Sequence, residues 1–357
     1  MFLFGRNKCK IKNNIFIILN YRGVFCLKAQ VIRSFGEASV FQLEEIPVPE
    51  LKPMHVLIQV KATSLNPLDT KIRSGVFAGL APEFPAVLHG DVSGIIAEVG
   101  EGVTDFKVGD EVYGFAGGVK GTGGALAEYM LADARLLAYK PENLSFAEAA
   151  ALPVVAITAW EALVKRANIG AGDEILIHGG AGGVGHVAIQ LAKWVGAKVY
   201  TTVSSPEKAQ IAEEFGADVV INYKEMSVQD YVNRYTDGKG FKYIFDTIDR
   251  KNLENSIEAA SLYGTIVAIA VSQDYNLSPF LLKSLNFHVV FTEIPILHEE
   301  FRHINGEVLK NITPIIEEGK LRPLIAQRQF TFDEIAEAHE YYEAKKAVGK
   351  IVLVNNW

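Results

Sequence analysis

Three evenly spaced glycines are the first residues whose pattern implies chemistry. Gly179, Gly182 and Gly185 form a G-x-x-G-x-x-G run. The run follows EILIHG, an apolar strand-like stretch, and opens a segment in which Val184, Ala188, Leu191 and Val195 recur at helical spacing. A loop between a buried strand and a helix N-terminus presents backbone N–H groups and the positive end of the helix dipole. Together these hold a pyrophosphate. Glycine serves the tight turn, the close approach of phosphate and the packing of helix on sheet. A merely flexible loop is the alternative, and the strand–loop–helix setting favours nucleotide binding over it.

The end of the next strand selects the nucleotide. It reads TTVSSPEK. A ribose with a free 2′-hydroxyl calls for Asp or Glu there, but the first acid is Glu207, already inside the following helix. Ser204, Ser205 and Lys208 stand in its place. Hydroxyls and a cation suit a 2′-phosphate dianion, which a carboxylate would repel. The expected cofactor is therefore NADP(H) rather than NAD(H). Each residue also has a plainer reading: Ser205 as a helix cap before Pro206, Lys208 as a solvated lysine. Tyr223, just after the third strand, would close the adenine end or simply pack.

The elements around these residues alternate. Strands are expected at 174–179, 198–203, 218–222, 241–247 and 264–271. Helices are expected up to Val195, from Pro206 to Phe215, and around 227–235 and 251–261. Short apolar strands spaced by helices imply a parallel, doubly wound sheet, to which HVVFTEI (288–294) would add an edge strand. Upstream, residues 28–130 read as β-rich. HVLIQVKA (55–62) alternates with Val56, Ile58 and Val60 on one face, and Gly94, Gly100, Gly102 and Gly109 punctuate residues 92–115 as turn glycines. FAEAAALPVVAITAWEALVKRA reads as helix broken near Pro153. A helix from Phe332 to Ala344 and a strand at GKIVLVNN close the chain.

Length and composition limit the alternatives. The 357 residues suit two domains, and 49% apolar against 22% charged residues is an ordinary globular balance. A net charge of −7 leaves no electrostatic footprint for nucleic acid or anionic lipid. The only cysteines are Cys9 and Cys26, so the body offers no thiolate metal site, cysteine nucleophile or iron–sulfur ligand set. That usage fits a cytoplasmic protein. No apolar run reaches the roughly 20 residues of a membrane span. Residues 1–27 stand apart. They carry Arg6, Lys8, Lys10, Lys12 and Arg22 with no acid, and the apolar run Ile15 to Leu19 is too short for a signal peptide. They are expected to be a non-native or disordered extension, with the working chain starting at Leu27.

Taken together, the chain resembles the zinc-free quinone oxidoreductase and enone reductase branch, zeta-crystallin-like, of the medium-chain dehydrogenase/reductase superfamily. The stretches that carry the resemblance are NPLDTKIRSG (66–75), PAVLHGDVSGIIAEVGEGVTDFKVGDEVYG (85–114), GGALAEYMLA (123–132), KPENLSFAEAAALPVVAITAWEAL (140–163), AGGVGHVAIQLAK (181–193) and GKIVLV (349–354). It implies an α/β chain with two domains: a GroES-like β-rich catalytic domain from 28–152 and 295–357, and a Rossmann NADP-binding domain from 153–294. It implies NADPH held by Thr158, Ala181, Gly182, Gly183, Val184, Ser204, Ser205, Lys208, Tyr223, Ile248 and Ala270, and often a homodimer.

Two departures refine it. Zinc-dependent members carry Gly-His-Glu where this chain has His89-Gly90-Asp91, so Gly90 occupies the ligand position and no metal is expected. His89 then has a packing or surface role, and His298 and His303 in HEEFRH are read as surface residues, because i and i+5 diverge by roughly 140° on a helix. Lys71 stands where many quinone reductases have Tyr and plant enone reductases more often have Lys. The expected reaction is NADPH-dependent, zinc-independent hydride transfer to quinones or α,β-unsaturated carbonyls, with Asn66 and Lys71 as catalytic residues at the substrate oxygen. An enoyl-thioester reductase, a non-catalytic NADPH-binding protein and a zinc alcohol dehydrogenase are the rivals.

Overall fold

The computed structural model describes residues 9–12, 15–19, 25–248, 252–271 and 274–357. The chain divides into two compact units: Met1–Pro153 with Glu293–Thr313 and Ile325–Trp357, and Val154–Thr292 with Pro314–Leu324. The division differs from the expected one in its last part. Residues 314–324 return to the second unit, where the sequence reading left all of 295–357 with the first.

The first unit is built on the strand His55–Ser64. It pairs antiparallel with Asp91–Val99 and Tyr129–Asp133, and at its far end with Val352–Val354, so that Val352 sits opposite Ser64. This pairing joins the two ends of the chain in one body. Val56, Ile58 and Val60 are buried as expected, but Leu57 on the other face is buried too. His55, Gln59 and Lys61 on that other face stay part-exposed, so within 55–62 the alternation holds except at Leu57. Gly102 and Gly109 take positive φ, as turn glycines should. Gly94 and Gly100 do not. A Cβ on them would lie 2.2 Å from the Gln59 oxygen and 2.1 Å from the Lys52 oxygen, so close backbone approach excludes side chains there. A second sheet contains Phe25–Ile32 and Phe41–Pro47. Cys9–Lys12 pairs antiparallel with Ile15–Leu19, and Ile15–Leu19 with Phe25–Ile32, so these residues form strands within the extension expected to be non-native or disordered. The rest of that expectation, on 1–8, 13–14 and 20–24, lies outside the described residues.

The second unit holds six parallel strands in the order Val219–Asn222, Lys198–Val203, Glu174–His178, Phe241–Asp246, Ala260–Ala268 and Asn286–Val289. Chain order reverses on either side of Glu174–His178, the topological switch point at which open α/β sheets bind ligands. Leu176, Tyr200, Ile244 and Ile266 belong to the core cluster on this sheet. The final strand ends at Val289 rather than 294, because Ile294–Leu297 turns into a helix with proline at its start.

The helix Gly185–Val195 is buried all round from Gly185 to Ala192, not on one stripe. Segment 314–324 covers its second side. The Gln190 side chain donates to the Arg322 carbonyl and accepts from the Arg322 N–H, and His186 Nε2 accepts from the Leu324 N–H. The break at Pro153 is as expected. Ser145 and Glu148 cap Phe146–Ala150, and Pro153–Trp160 then continues as a π-helical turn, Glu161–Arg166. Among the described residues no helix is long and apolar enough to cross a membrane.

Candidate functional site

The glycine loop in the second unit turns at Gly179, whose φ of +78° strains any L side chain. The Gly179 and Gly180 N–H groups donate to the Thr202 carbonyl, and Gly182 N–H donates to Gly179. These bonds fold the loop back over the strand end. A Cβ on Gly185 would stand 2.1 Å from the Gly179 oxygen, so glycine there seats the helix on the turn. Gly180, which the sequence pattern did not single out, is equally constrained: its Cβ would meet Thr201 Oγ1 at 2.3 Å. Ala181 is buried, Gly182 is exposed, and Gly183 and Val184 are half-buried. The start of an 11-residue helix thus follows an exposed glycine with no side chain in the way. That cradle fits a pyrophosphate.

The remaining expected cofactor residues gather at the C-terminal ends of the strands, with one exception. Ser204 and Ser205 follow Lys198–Val203 directly, and Tyr223 donates its N–H to the Val203 carbonyl from the neighbouring strand end. Parallel pairing of Val203 with Asn222 therefore brings Ser204, Ser205, Lys208 and Tyr223 to one edge. Ser205 also caps the helix Pro206–Glu214, its hydroxyl accepting the Lys208 N–H at 3.4 Å. Lys208 is half-buried, and among the described residues its ammonium has no ion-pair partner. Ile248 and Ala270 follow the ends of Phe241–Asp246 and Ala260–Ala268. Thr158 is the exception. It lies in the helix Pro153–Trp160, with its hydroxyl donating to the Val154 carbonyl.

A buried aspartate that sequence reasoning missed ties the end of Phe241–Asp246 to Ile248 and to the helix Asn252–Ala259. Asp246 accepts from the Ile248 N–H and the Asn252 amide through one oxygen and from the Ser256 hydroxyl through the other. Thr247 donates to the His178 carbonyl, tying the end of Phe241–Asp246 to the end of Glu174–His178. His178 is buried with Nδ1 on Thr202, and burial lowers its pKa. The only sequence signal was an acid at the end of an apolar strand.

In the first unit, Asn66 has the extended backbone expected before proline, φ −119° and ψ 155°, and starts the helix Pro67–Arg73. Its amide is not loose. Nδ2 donates to Asp91 Oδ2 at 2.9 Å, and Oδ1 accepts from the Lys350 ammonium. Ser64 donates to the same Asp91 oxygen, and Asp69 accepts the Asn66 N–H at 2.7 Å. Burial pushes the Asp69 carboxyl up to about 7, and burial likewise raises Glu293 to about 7. Lys350, fully buried, is pushed down. Lys71 lies on the same short helix, half-buried, its ammonium 5.4 Å from the centre of the Phe77 ring.

His89 is a packing residue and not a surface one. It is wholly buried with φ +69°, and its Nε2 lies 3.2 Å from His339 Nε2. Burial lowers its pKa to about 3, so the pair is neutral imidazoles sharing one hydrogen. His298 and His303 are exposed, as expected. At Gly90, a Cβ would lie 2.3 Å from the Phe115 ring and 2.5 Å from the Gly117 oxygen. No ligand side chain fits where zinc dehydrogenases carry one. Among the described residues no group of three His, Cys, Asp or Glu is placed to hold a metal ion. The residues present do not fit zinc.

Comparison with known proteins gives the family. Residues 52–142 match the alcohol dehydrogenase GroES-like domain, and residues 183–303 match the family described as zinc-binding dehydrogenase. The chain is 36% identical over 334 residues to an NADPH-dependent alkenal/one oxidoreductase, chloroplastic, of Arabidopsis thaliana, covering 92% of this chain and 79% of the relative. Among solved structures, an alcohol dehydrogenase superfamily protein from Novosphingobium aromaticivorans superposes with a TM-score of 0.87 at 36% identity, covering 92% and 99% of the two chains. Escherichia coli quinone oxidoreductase complexed with NADPH does so with 0.80 at 28% identity, with the same coverage. The strand-end cradle and these relatives support a nicotinamide cofactor. A GroES-like unit, a doubly wound parallel sheet and likeness over nine-tenths of its length place this chain in the quinone oxidoreductase and enone reductase branch of the medium-chain dehydrogenase/reductase superfamily, as an oxidoreductase.

Proposed function

We propose that the chain is an NADPH-dependent reductase of quinones or α,β-unsaturated carbonyls that works without zinc. The observation that carries the choice of NADPH is the strand end at Ser204, Ser205 and Lys208, which gathers hydroxyls and an ammonium where a free ribose would need a carboxylate. When bound, NADPH supplies hydride from C4 of its nicotinamide to the electrophilic carbon of the acceptor. The loop from Gly179 to Val184 would hold the pyrophosphate, Lys208 with Ser204 and Ser205 the 2′-phosphate, and Tyr223 the adenine end. Ala270, Ile248 and Thr158 would line the nicotinamide side.

Reduction leaves negative charge on the acceptor oxygen, which must be stabilised without a metal. Asn66 keeps one amide hydrogen beyond the one given to Asp91 and would donate it to that oxygen. Lys71 would place a cation nearby and return a proton. Two further readings belong to this proposal. Cysteine confined to positions 9 and 26 suits the cytoplasm. The outer edge of the parallel sheet, Asn286–Val289, with Leu281 82% and Leu282 80% exposed beside it, suits an isologous dimer.

The test is the rate of NADPH and NADH oxidation across quinones, enones, enals and enoyl thioesters. Faster turnover with NADPH on enones or quinones supports the reading. A preference for thioesters would make the chain an enoyl-thioester reductase, and turnover of none would leave a binding protein.

A further inference from the structure

We propose that Lys350, from the far end of the chain, is a positioning residue that fixes which way round the Asn66 amide lies. The inference rests on the reading of Asn66 as the donor to the acceptor oxygen. An asparagine amide has two ends of nearly equal size that differ only in hydrogen-bond sense. A donor-only partner and an acceptor-only partner on opposite ends leave one orientation satisfied. Lys350 gives its hydrogens to three acceptors and meets Oδ1, while Asp91 Oδ2 accepts from Ser64 and Lys350 and meets Nδ2 at 2.9 Å. Turning the amide over would oppose two donors at one end and two acceptors at the other.

The ammonium cannot reach a substrate itself. Its three hydrogens go to the Leu65 carbonyl at 3.2 Å, Asn66 Oδ1 and Asp91 Oδ2 at 3.4 Å, and the side chain is 4% exposed. It acts through Asn66 alone. Its partners are held in turn. Ser64 Oγ donates to Asp91 Oδ2 at 2.7 Å, and Thr63 Oγ1 donates to the Asp91 carbonyl. The Leu65 N–H donates to the Ile351 carbonyl at 2.9 Å, and Val352 pairs with Ser64. The backbone on both sides of the contact is therefore set by strand pairing. The result is one remaining Asn66 N–H of defined direction, preorganised before any acceptor binds.

A double-mutant cycle on the full-length protein tests this. Asn66→Ala and Lys350→Met are each expected to lower kcat on an enone about tenfold or more, with the dissociation constant for NADPH, read by its fluorescence, within twofold of the parent. The double variant should be no slower than Asn66→Ala within about twofold, because Lys350 has nothing left to orient. Lys350→Arg should recover part of the loss. If Lys350→Met does not fold, Lys350→Met combined with Asp91→Asn removes both orienting partners of the Asn66 amide together and carries the same expectation. Multiplied losses in the double variant, with Asn66→Ala itself slow, overturn the positioning role alone. An unchanged kcat in Asn66→Ala overturns the reading of Asn66, and the inference with it.

Discussion

Gly185 and Gly179 touch: the position a Cβ would take on Gly185 is 2.1 Å from the Gly179 carbonyl oxygen, with the Gly179 carbonyl carbon at 2.8 Å. No side chain can enter without lifting the helix Gly185–Val195 off the turn that feeds it.

Substitutions in the loop should therefore separate into two kinds. Gly185→Ala clashes with backbone and should lower stability by about 1–3 kcal/mol as well as weakening NADPH. Gly182 is exposed, and a Cβ there would press on the Gly179 oxygen at 3.1 Å, a milder clash than the 2.1 Å at Gly185. Gly182→Ala should lower the melting temperature less than Gly185→Ala and still weaken NADPH tenfold or more, because its methyl fills the cradle. Thermal melts beside calorimetric titration with NADPH read both quantities.

Lys208→Ala should erode the NADPH over NADH preference by about 1–3 kcal/mol, as for a charge-assisted phosphate contact. The ratio of kcat/KM for the two cofactors measures it. A ratio unchanged by Lys208→Ala and by Ser204→Ala would remove the 2′-phosphate assignment.

Lys71→Met should lower kcat and kcat/KM together while NADPH affinity holds, and more for enones, whose enolate is basic, than for quinones. Steady-state kinetics on paired acceptors decide the point. Small, equal losses would return Lys71 to a structural role on its helix.

The buried acids make stability fall with rising pH. Asp69 and Glu293 titrate near 7 in the folded protein and near 4 in the unfolded chain. Between those values the folded state binds more protons, so the contribution is full below about pH 4 and lost as pH rises through about 7. Urea midpoints taken at pH 5 and pH 8 should drop between the two for the parent. The drop should shrink in Glu293→Gln and in Asp69→Asn, with a difference on the order of 2–4 kcal/mol at the extremes.

Light scattering at micromolar concentration should give the mass of two chains, and Leu281→Glu with Leu282→Glu should shift it toward one. A single-chain mass for the parent would contradict the dimer.

Much of the second unit was legible in the sequence because its signals are local. Lys198–Val203 is a six-residue run rich in β-branched residues, and the helix after it begins at a serine followed by proline, so both ends are written within a few residues. The glycine loop was legible for the same reason: backbone approach that excludes Cβ leaves glycine as its trace. Local patterns could not show how much covers an element. Gly185–Val195 looked one-sided, and only the return of Arg322 to Leu324 makes it buried on both sides.

What only the tertiary structure decided is the chemistry of the first unit's polar core. Lys350 and Asn66 are 284 residues apart, and nothing near either names the other. A lysine by itself belongs in water, since stripping an ammonium of solvent is costly. It becomes a core residue only where three acceptors replace its hydration, and those acceptors are assembled by the pairing of Val352 with Ser64. The sequence by itself determined the family, the doubly wound sheet and the cofactor loop. The orientation of the Asn66 amide, the neutral His89–His339 pair and the crowding at Gly90 came from the fold, because each depends on groups that meet only when distant strands close.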